Sequence, residues 1–437
     1  MIELTVLQYD YDEERQGFGE PAQAPGGGMT LGERAALIAV ALGLLVFGLT
    51  AVGGVGLGAW WPIITSFGLL GVGGAGYLVF RYRKTEPGIK HNGNMFRGIQ
   101  NRGWPAWGLG IFITAFYIVL YWYRDLQSRG LPPVLERPIR MLDPLSQALR
   151  NSPADQWFLY GFLYTMSILT FGVWMFMKYR HNRYHQIRTG SVMFFQLGFA
   201  FLLPGILVRL NQPEFYFTYF WPLKPEYLWP GNAGSVSYVT QNWTDFIGIV
   251  MIGFGIFGIA VLTPVLTYFY GKRWYCSWVC GCGGLAETLG DPWRQLSDKS
   301  PMAWRVERWL IHGVLGFVIL TTVILWFDFW ASNQILGEFS LTLRKIYGFM
   351  IVSTFAGVVG VGFYPLMGSR VWCRFGCPMA AILGLIQRYF SRFRITTNGD
   401  QCMSCGNCST YCEMGIDVRA YAQRGENIVR ASCVGCG

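Results

Sequence analysis

Two short stretches of this 437-residue chain place a pair of cysteines behind a basic residue: "RWYCSWVCG" at 273–281 and "RVWCRFGCP" at 370–378. They align without a gap, Arg273 with Arg370, Cys276 with Cys373, Trp278 with Phe375 and Cys280 with Cys377, which marks an internal duplication in the second half of the chain. Two thiolates are half of a four-ligand site. Two such halves at neighbouring helix ends would hold a [4Fe-4S] or [2Fe-2S] cluster. Arg273, Arg370 and Arg374, with Lys272, would offset the negative charge of thiolates and sulfide and raise the reduction potential. The alternative is that these thiols only pack, since cysteine is among the most buried residue types. Duplication of both spacing and flanking charge weighs against it. Cys282 has no counterpart in the second repeat and reads as a small core residue or a reserve ligand. Gly281 follows the first pair and Pro378 the second, so the two turns need not be identical.

A denser group lies in "DQCMSCGNCSTYCEMG", where Cys402, Cys405, Cys408 and Cys412 have the spacing of a bacterial ferredoxin run. In such a run three close thiolates hold one [4Fe-4S] cube and the fourth reaches a second cube. Gly406 lets the backbone turn tightly. Four cysteines also satisfy zinc, but zinc pairs are usually separated by a longer central spacer. Glu413 stands where the usual run has proline. The final "SCVGCG" supplies Cys433 and Cys436, the opening of a second run whose remaining cysteines would lie beyond Gly437. With Cys412 they make only three ligands, so the natural protein is expected to continue. Were residue 437 the end, the tail would hold one cluster of unusual ligation or a zinc ion. The expectation is two [4Fe-4S] clusters in a full-length tail and one more cluster at the membrane edge.

The elements that must position these thiols are apolar helices. Hydrophobic residues make up 52% of the chain and charged residues 14%, against about 25% charged in an ordinary soluble domain. Apolar segments long enough to cross a bilayer are read at about 35–54, 60–80, 106–123, 157–177, 191–208, 245–270, 309–330 and 346–367. The fold expected is an all-α polytopic membrane protein with a small α+β ferredoxin-like domain at its C-terminus. Its parts are an acidic disordered tail over 1–34, six helices over 35–271, the first cysteine pair with an interfacial segment over 272–308, two helices over 309–367, the second pair with a connecting helix over 368–394, and the ferredoxin-like domain over 395–437.

Basic residues set the orientation. Arg81, Arg83, Lys84, Lys90, Arg97 and Arg102 in one loop, and the run "KYRHNRYHQIR" in another, place both loops in the cytoplasm. Both termini and both cysteine pairs then face the cytoplasm, in a bacterial inner membrane. The loop at 124–156 conflicts weakly with this, since it should be outside yet carries Arg124, Arg129, Arg137, Arg140 and Arg150. The net charge of +10 reads as contact with anionic lipid, and no basic soluble module for nucleic acid is visible.

Other chemistries find little support. Of the 4 histidines, His91, His181 and His185 fall in cytoplasmic loops with solvated or lipid-facing roles, and His312 starts a span without a partner. No Cys-x-x-Cys-His motif for covalent haem occurs. The stretches "VGGVGLG" and "GLLGVGGAG" read as close helix packing by small residues rather than phosphate loops. The aromatic loop "NQPEFYFTYFWPLKPEYLWPGNAG" is expected along the outer interface, the alternative being that it covers a quinol pocket or a partner subunit. The segment "ETLGDPWRQLSDKSPMAWRVERW" is expected as an interfacial helix. Asp328 is the one acidic residue found near the end of a span, which leaves a proton-pumping role unsupported.

On "CSWVC", "CRFGCP" and "CMSCGNCSTYC", covering roughly residues 245–437, the chain resembles membrane polyferredoxins of the NapH/NosR type and copper-haem oxidase accessory proteins. The resemblance implies electron transfer between the quinone pool, or a membrane redox subunit, and a soluble or membrane partner within a larger complex. The few histidines leave haem to a partner rather than this chain, and the absent flavin-attachment motif argues against a covalent flavin. A rival from another class is an assembly or regulatory factor that senses redox state or reduces a metal ion for an oxidase or reductase. A third is a subunit braced by inert clusters.

Overall fold

The computed structural model describes residues 29–83, 102–130, 132–212, 214–228, 246–331 and 335–436. The first 28 residues of the expected tail, and His91, lie outside the described residues.

Among the described residues eight helices are long and apolar enough to cross a membrane: α1 (Leu31–Gly53), α2 (Trp60–Tyr82), α3 (Trp104–Tyr121), α4 (Gln156–Lys178), α5 (Arg183–Arg209), α6 (Gly253–Tyr270), α7 (Pro301–Trp330) and α8 (Glu338–Gly362). The chain is a multi-pass membrane protein. A shorter helix, α9 (Pro378–Tyr389), follows the second cysteine pair.

Local chemistry moves several boundaries from where hydropathy puts them. Thr30 and Glu33 form a capping box, so α1 begins at Leu31, inside the expected tail. Asn182 caps α5 by accepting from the N–H groups of Tyr184 and His185, which starts that helix well before its apolar run. His185, Arg188 and Thr189 form a buried polar face on its first turns. His185 is stacked on Tyr179 at 4.1 Å between ring centroids, which corrects the solvated or lipid-facing role expected for it. The second glycine-rich stretch packs helices as expected: a Cβ on Gly73 would lie 2.9 Å from the Ala36 carbonyl oxygen. The first one instead makes the α1–α2 turn, with Gly54, Gly56 and Gly58 at positive φ.

The arginines of the 124–156 loop are largely engaged locally. Arg137 donates to the Val52 carbonyl at the end of α1, and Arg150 pairs with Asp155 at 3.6 Å. At the same end of the bundle, Asp328 accepts from the N–H groups of Leu336 and Gly337 and from the Ser340 hydroxyl, closing the turn between α7 and α8.

Three further expectations are corrected. The described part of the aromatic loop after α5, residues 214–228, enters the bundle rather than lying along the interface, burying Thr218, Phe220 and Pro222. Buried polar groups hold it: the Trp221 indole donates to Thr322 Oγ1 at 3.0 Å, and the Tyr347 hydroxyl to the Leu223 carbonyl at 3.2 Å. The segment between the cysteine repeats is not an interfacial helix. Residues 281–297 are largely buried, and 301–308 are the first turns of α7, capped by Ser300. Lastly, no strand occurs among the described residues, so the α+β ferredoxin-like domain is not found. Residues 395–436 carry short helices and one antiparallel bridge, Ile395 to Ile428. The reason is packing: this segment closes over the cysteine turns and satisfies its backbone there, rather than in a sheet of its own.

Candidate metal centre

Each cysteine pair is shaped by the same backbone device. Gly271 (φ 68, ψ −175) and Gly368 (φ 90, ψ 168) end the preceding helices in a conformation open essentially to glycine alone. The Cys280 N–H then donates to the Tyr275 carbonyl at 2.8 Å and the Cys377 N–H to that of Trp372 at 3.0 Å, equivalent bonds in the two repeats. Cys280 (φ −69, ψ 125) and Cys377 (φ −83, ψ 112) each become the N-cap of the helix that follows. The two turns therefore coincide, although Gly281 replaces Pro378. A thiolate at a helix N-terminus is favoured by the backbone dipole and free N–H groups. Ala380 N–H donates to Cys377 Sγ at 3.4 Å.

The repeats meet. Cys276, Cys373 and Cys377 belong to one buried core with Cys280 packed against it, and every pair among these four thiols is close enough to interact electrostatically. Cys282 lies with them, its thiol hydrogen-bonded to Cys280. That bond holds Cys280 down at about 7, whereas burial pushes Cys276 up to about 12 and raises Cys373 and Cys377. Cys276, Cys373 and Cys377 are thereby held in the protonated form, and a metal would take the protons' place. The entering aromatic loop closes the site from its far side, where the Tyr275 hydroxyl donates to the Thr218 carbonyl at 2.6 Å.

A second thiol group lies in the tail. Cys412, Cys433 and Cys436 interact mutually, burial raising Cys433 to about 11 and Cys436 to about 12. Ile416 N–H donates to Cys412 Sγ at 3.3 Å. Of the remaining tail cysteines, Cys402 is half-buried like this trio, whereas Cys405 and Cys408 are exposed. The tail is stitched to the cysteine turns. Lys272 Nζ donates to the Ala431 carbonyl at 3.0 Å and Ser277 to that of Val434 at 3.1 Å. Gln387 Nε2 reaches the carbonyls of Arg430 and Cys433, both at 2.9 Å.

Between the two groups runs a buried ion network. Arg370 bonds both Glu287 and Glu413; Glu287 also meets Arg188 at 3.0 Å, and Glu413 meets Arg294 at 3.7 Å. Arg294 and Lys178 share Asp291, at 3.3 Å and 2.5 Å. Burial opposes the charge on Glu413, but Arg370 and Arg294 hold its carboxyl below the ordinary value; Glu287, under the same burial, is raised.

Of the three arginines expected to offset cluster charge, only Arg370 donates to a cysteine sulfur, Cys373 Sγ at 3.8 Å. Arg273 instead stacks on Phe393 and Tyr184, and Arg374 binds Glu307 at 2.7 Å. Residues that share an alignment column thus have different partners. Lys272 takes the place beside the thiols, fully buried and acting on Cys276, Cys373 and Cys433. Lys272 was expected there from sequence, whereas Gln387, Glu287, Asp291, Arg294, Arg188 and Lys178 were not singled out as site residues. The signal for three of them was present, as charges in the otherwise buried stretch 281–297.

The donor set fits an iron-sulfur cluster: four converging thiols, N–H groups aimed at sulfur, and buried cations. Arg370 Nε, Ser369 Oγ and Ser432 Oγ are buried without a hydrogen-bond partner, as expected beside sulfide or thiolate. Among the described residues no three His, Cys, Asp or Glu side chains converge as ligands of one ion. The thiolates of a cube sit on different irons and stand further apart.

Comparison with known proteins agrees. The family described as "4Fe-4S binding domain" matches twice, at residues 252–300 and 347–397, once over each cysteine repeat. The chain is 26% identical over 175 residues to the putative electron transport protein YccM of Escherichia coli K12, covering 38% of this chain and 47% of that one. It is 30% identical over 156 residues to the methylamine utilization ferredoxin-type protein MauN of Methylobacillus flagellatus, covering 35% and 52%. An uncharacterized protein of Methanocaldococcus jannaschii, MJ0749, is 25% identical over 183 residues, covering 41% and 64%. The chain thus spans about half the length of the first two of these relatives. No solved structure matches it. The resemblance to membrane 4Fe-4S electron-transfer proteins, drawn from the cysteine motifs, holds across both repeats.

Proposed function

We propose that this chain carries electrons between the membrane, by way of a quinone or a membrane redox subunit, and iron-sulfur centres on the cytoplasmic side of a bacterial inner membrane. Cys276, Cys280, Cys373 and Cys377 would hold the centre at the membrane edge. Cys412, Cys433 and Cys436 would hold part of an inner tail centre, and Cys402, Cys405 and Cys408 part of an outer one. Clusters bound there supply one-electron carriers whose potentials follow charge, hydrogen bonding and solvent exposure.

One observation carries the reading: the four repeat thiols and the three inner tail thiols belong to or pack against one buried core. The protein's own contribution follows from it. The aromatic loop and the ion network keep water from the inner groups, while Lys272 and Arg370 offset thiolate charge. Exposure rises from Cys377 to Cys412 to Cys405, which supports a reading in which the centres run from the membrane outward and the outermost meets a soluble partner.

The test is an iron and sulfide count with low-temperature electron paramagnetic resonance on the protein in lipid, followed by addition of a quinol. Cluster reduction by quinol supports the carrier. Reduction or transfer of a metal ion without quinol turnover replaces it with an assembly factor, and clusters that do not change state with either reagent leave only a bracing role.

A further inference from the structure

Glu413 follows Cys412 directly and is buried where the ferredoxin run usually has proline. Its Oε1 accepts from Arg370 Nη2 at 3.0 Å, and its Oε2 lies 3.7 Å from Arg294 Nη2. On its other side Arg370 reaches the membrane-edge group, with Nη1 at 3.8 Å from Cys373 Sγ and 3.4 Å from the Cys276 carbonyl oxygen. The Arg370 side chain has 0% exposure. One guanidinium therefore touches an edge thiol on one side and, on the other, the carboxylate that follows a tail thiol in sequence, shielded from solvent on both.

We propose that Glu413 is a positioning residue: it fixes Arg370 between the edge and inner tail centres, so that one buried ion pair sets the reduction potential of both. The inference rests on the reading that both thiol groups hold clusters. Glu413 is not itself a ligand, and its carboxylate pairs with Arg370 and Arg294 rather than with an edge cysteine. A tail carboxylate nevertheless acts on the edge centre through Arg370. Each centre gains negative charge on reduction, so removing the carboxylate's charge favours the reduced form of both.

The experiment is a redox titration of the full-length protein in lipid, following each centre by its paramagnetic signal, in wild type, Glu413→Gln, Glu413→Asp and Glu413→Pro. Glu413→Gln is expected to raise both midpoint potentials. Glu413→Asp is expected to bring both back toward wild type. Glu413→Pro restores the residue of the usual run and is expected to load its clusters with the edge potential displaced. A shift confined to the tail centre overturns the proposal.

Protease protection of the tail in the iron-free full-length protein supplies a readout that needs no cluster, and covers variants that fail to load. Glu413→Gln and Glu413→Pro should be cleaved several-fold faster than wild type and Glu413→Asp. Equal protection in all four overturns the proposal. Wild-type protein with no iron on Cys276, Cys280, Cys373 and Cys377 would instead sink the functional reading, and the protease comparison would still decide whether the ion pair holds the tail.

Discussion

The Tyr275 hydroxyl donates to the Thr218 carbonyl oxygen at 2.6 Å, joining the residue before the first site cysteine to a loop that starts from the opposite end of α5. Both residues are buried. The contact closes the dry side of the edge site.

Replacing that donor tests the closure. Tyr275→Phe leaves a buried carbonyl without its partner, which costs about 1–3 kcal/mol. The variant should bind its edge cluster but lose it faster in air, measured as bleaching of the visible absorbance under oxygen. Unchanged bleaching would mean that the loop does not shield the site.

The four edge thiols and Cys282 should separate cleanly by iron content. Cys276→Ser and Cys373→Ser are expected to lose the edge cluster, with the tail signals retained. Cys282→Ser keeps a donor toward Cys280 and should retain the edge cluster. Iron loss in Cys282→Ser would make Cys282 a ligand and displace one of the four from that role.

Glu287→Gln tests the ion network without touching a thiol. It leaves Arg370 and Arg188 with one buried carboxylate fewer, and breaking a buried pair from one side costs about 3–5 kcal/mol. The thermal unfolding midpoint in detergent should fall sharply. A change no larger than that of an exposed pair such as Arg424–Glu426 would show that the network is dispensable.

Iron removal should proceed from the outside inward. Cys405 and Cys408 are exposed, whereas Cys276, Cys373 and Cys377 are buried. Oxidation with ferricyanide in the presence of a chelator is expected to strip the outer centre first and the edge centre last, followed by loss of the individual paramagnetic signals. Simultaneous loss would contradict the ordering by exposure.

Sequence alone conveyed the spans and the thiols, because both are written in local pattern. The second span, read at 60–80, is the helix Trp60–Tyr82. The last span drifted, from an expected 346–367 to Glu338–Gly362, because its amphipathic first turns with Glu338, Arg344 and Lys345 look polar to a hydropathy window. Gly271 and Gly368 precede the pairs identically and could have been read with them. The ion network could not. Arg370 and Glu287 are 83 residues apart and Lys178 and Asp291 are 113 apart, and no periodicity announces such partners. Composition likewise could not choose between an aromatic loop lying on lipid and one entering the bundle, since Trp and Tyr suit either place.

The length of α7 has a mechanical consequence. Its 30 residues span about 45 Å, against a hydrocarbon layer of about 30 Å, so several turns stand clear of the lipid. Glu307 sits on the second turn of α7 and grips Arg374, the neighbour of Cys373. When the bilayer thickens or thins and α7 tilts to match it, that lever moves the second cysteine pair with it.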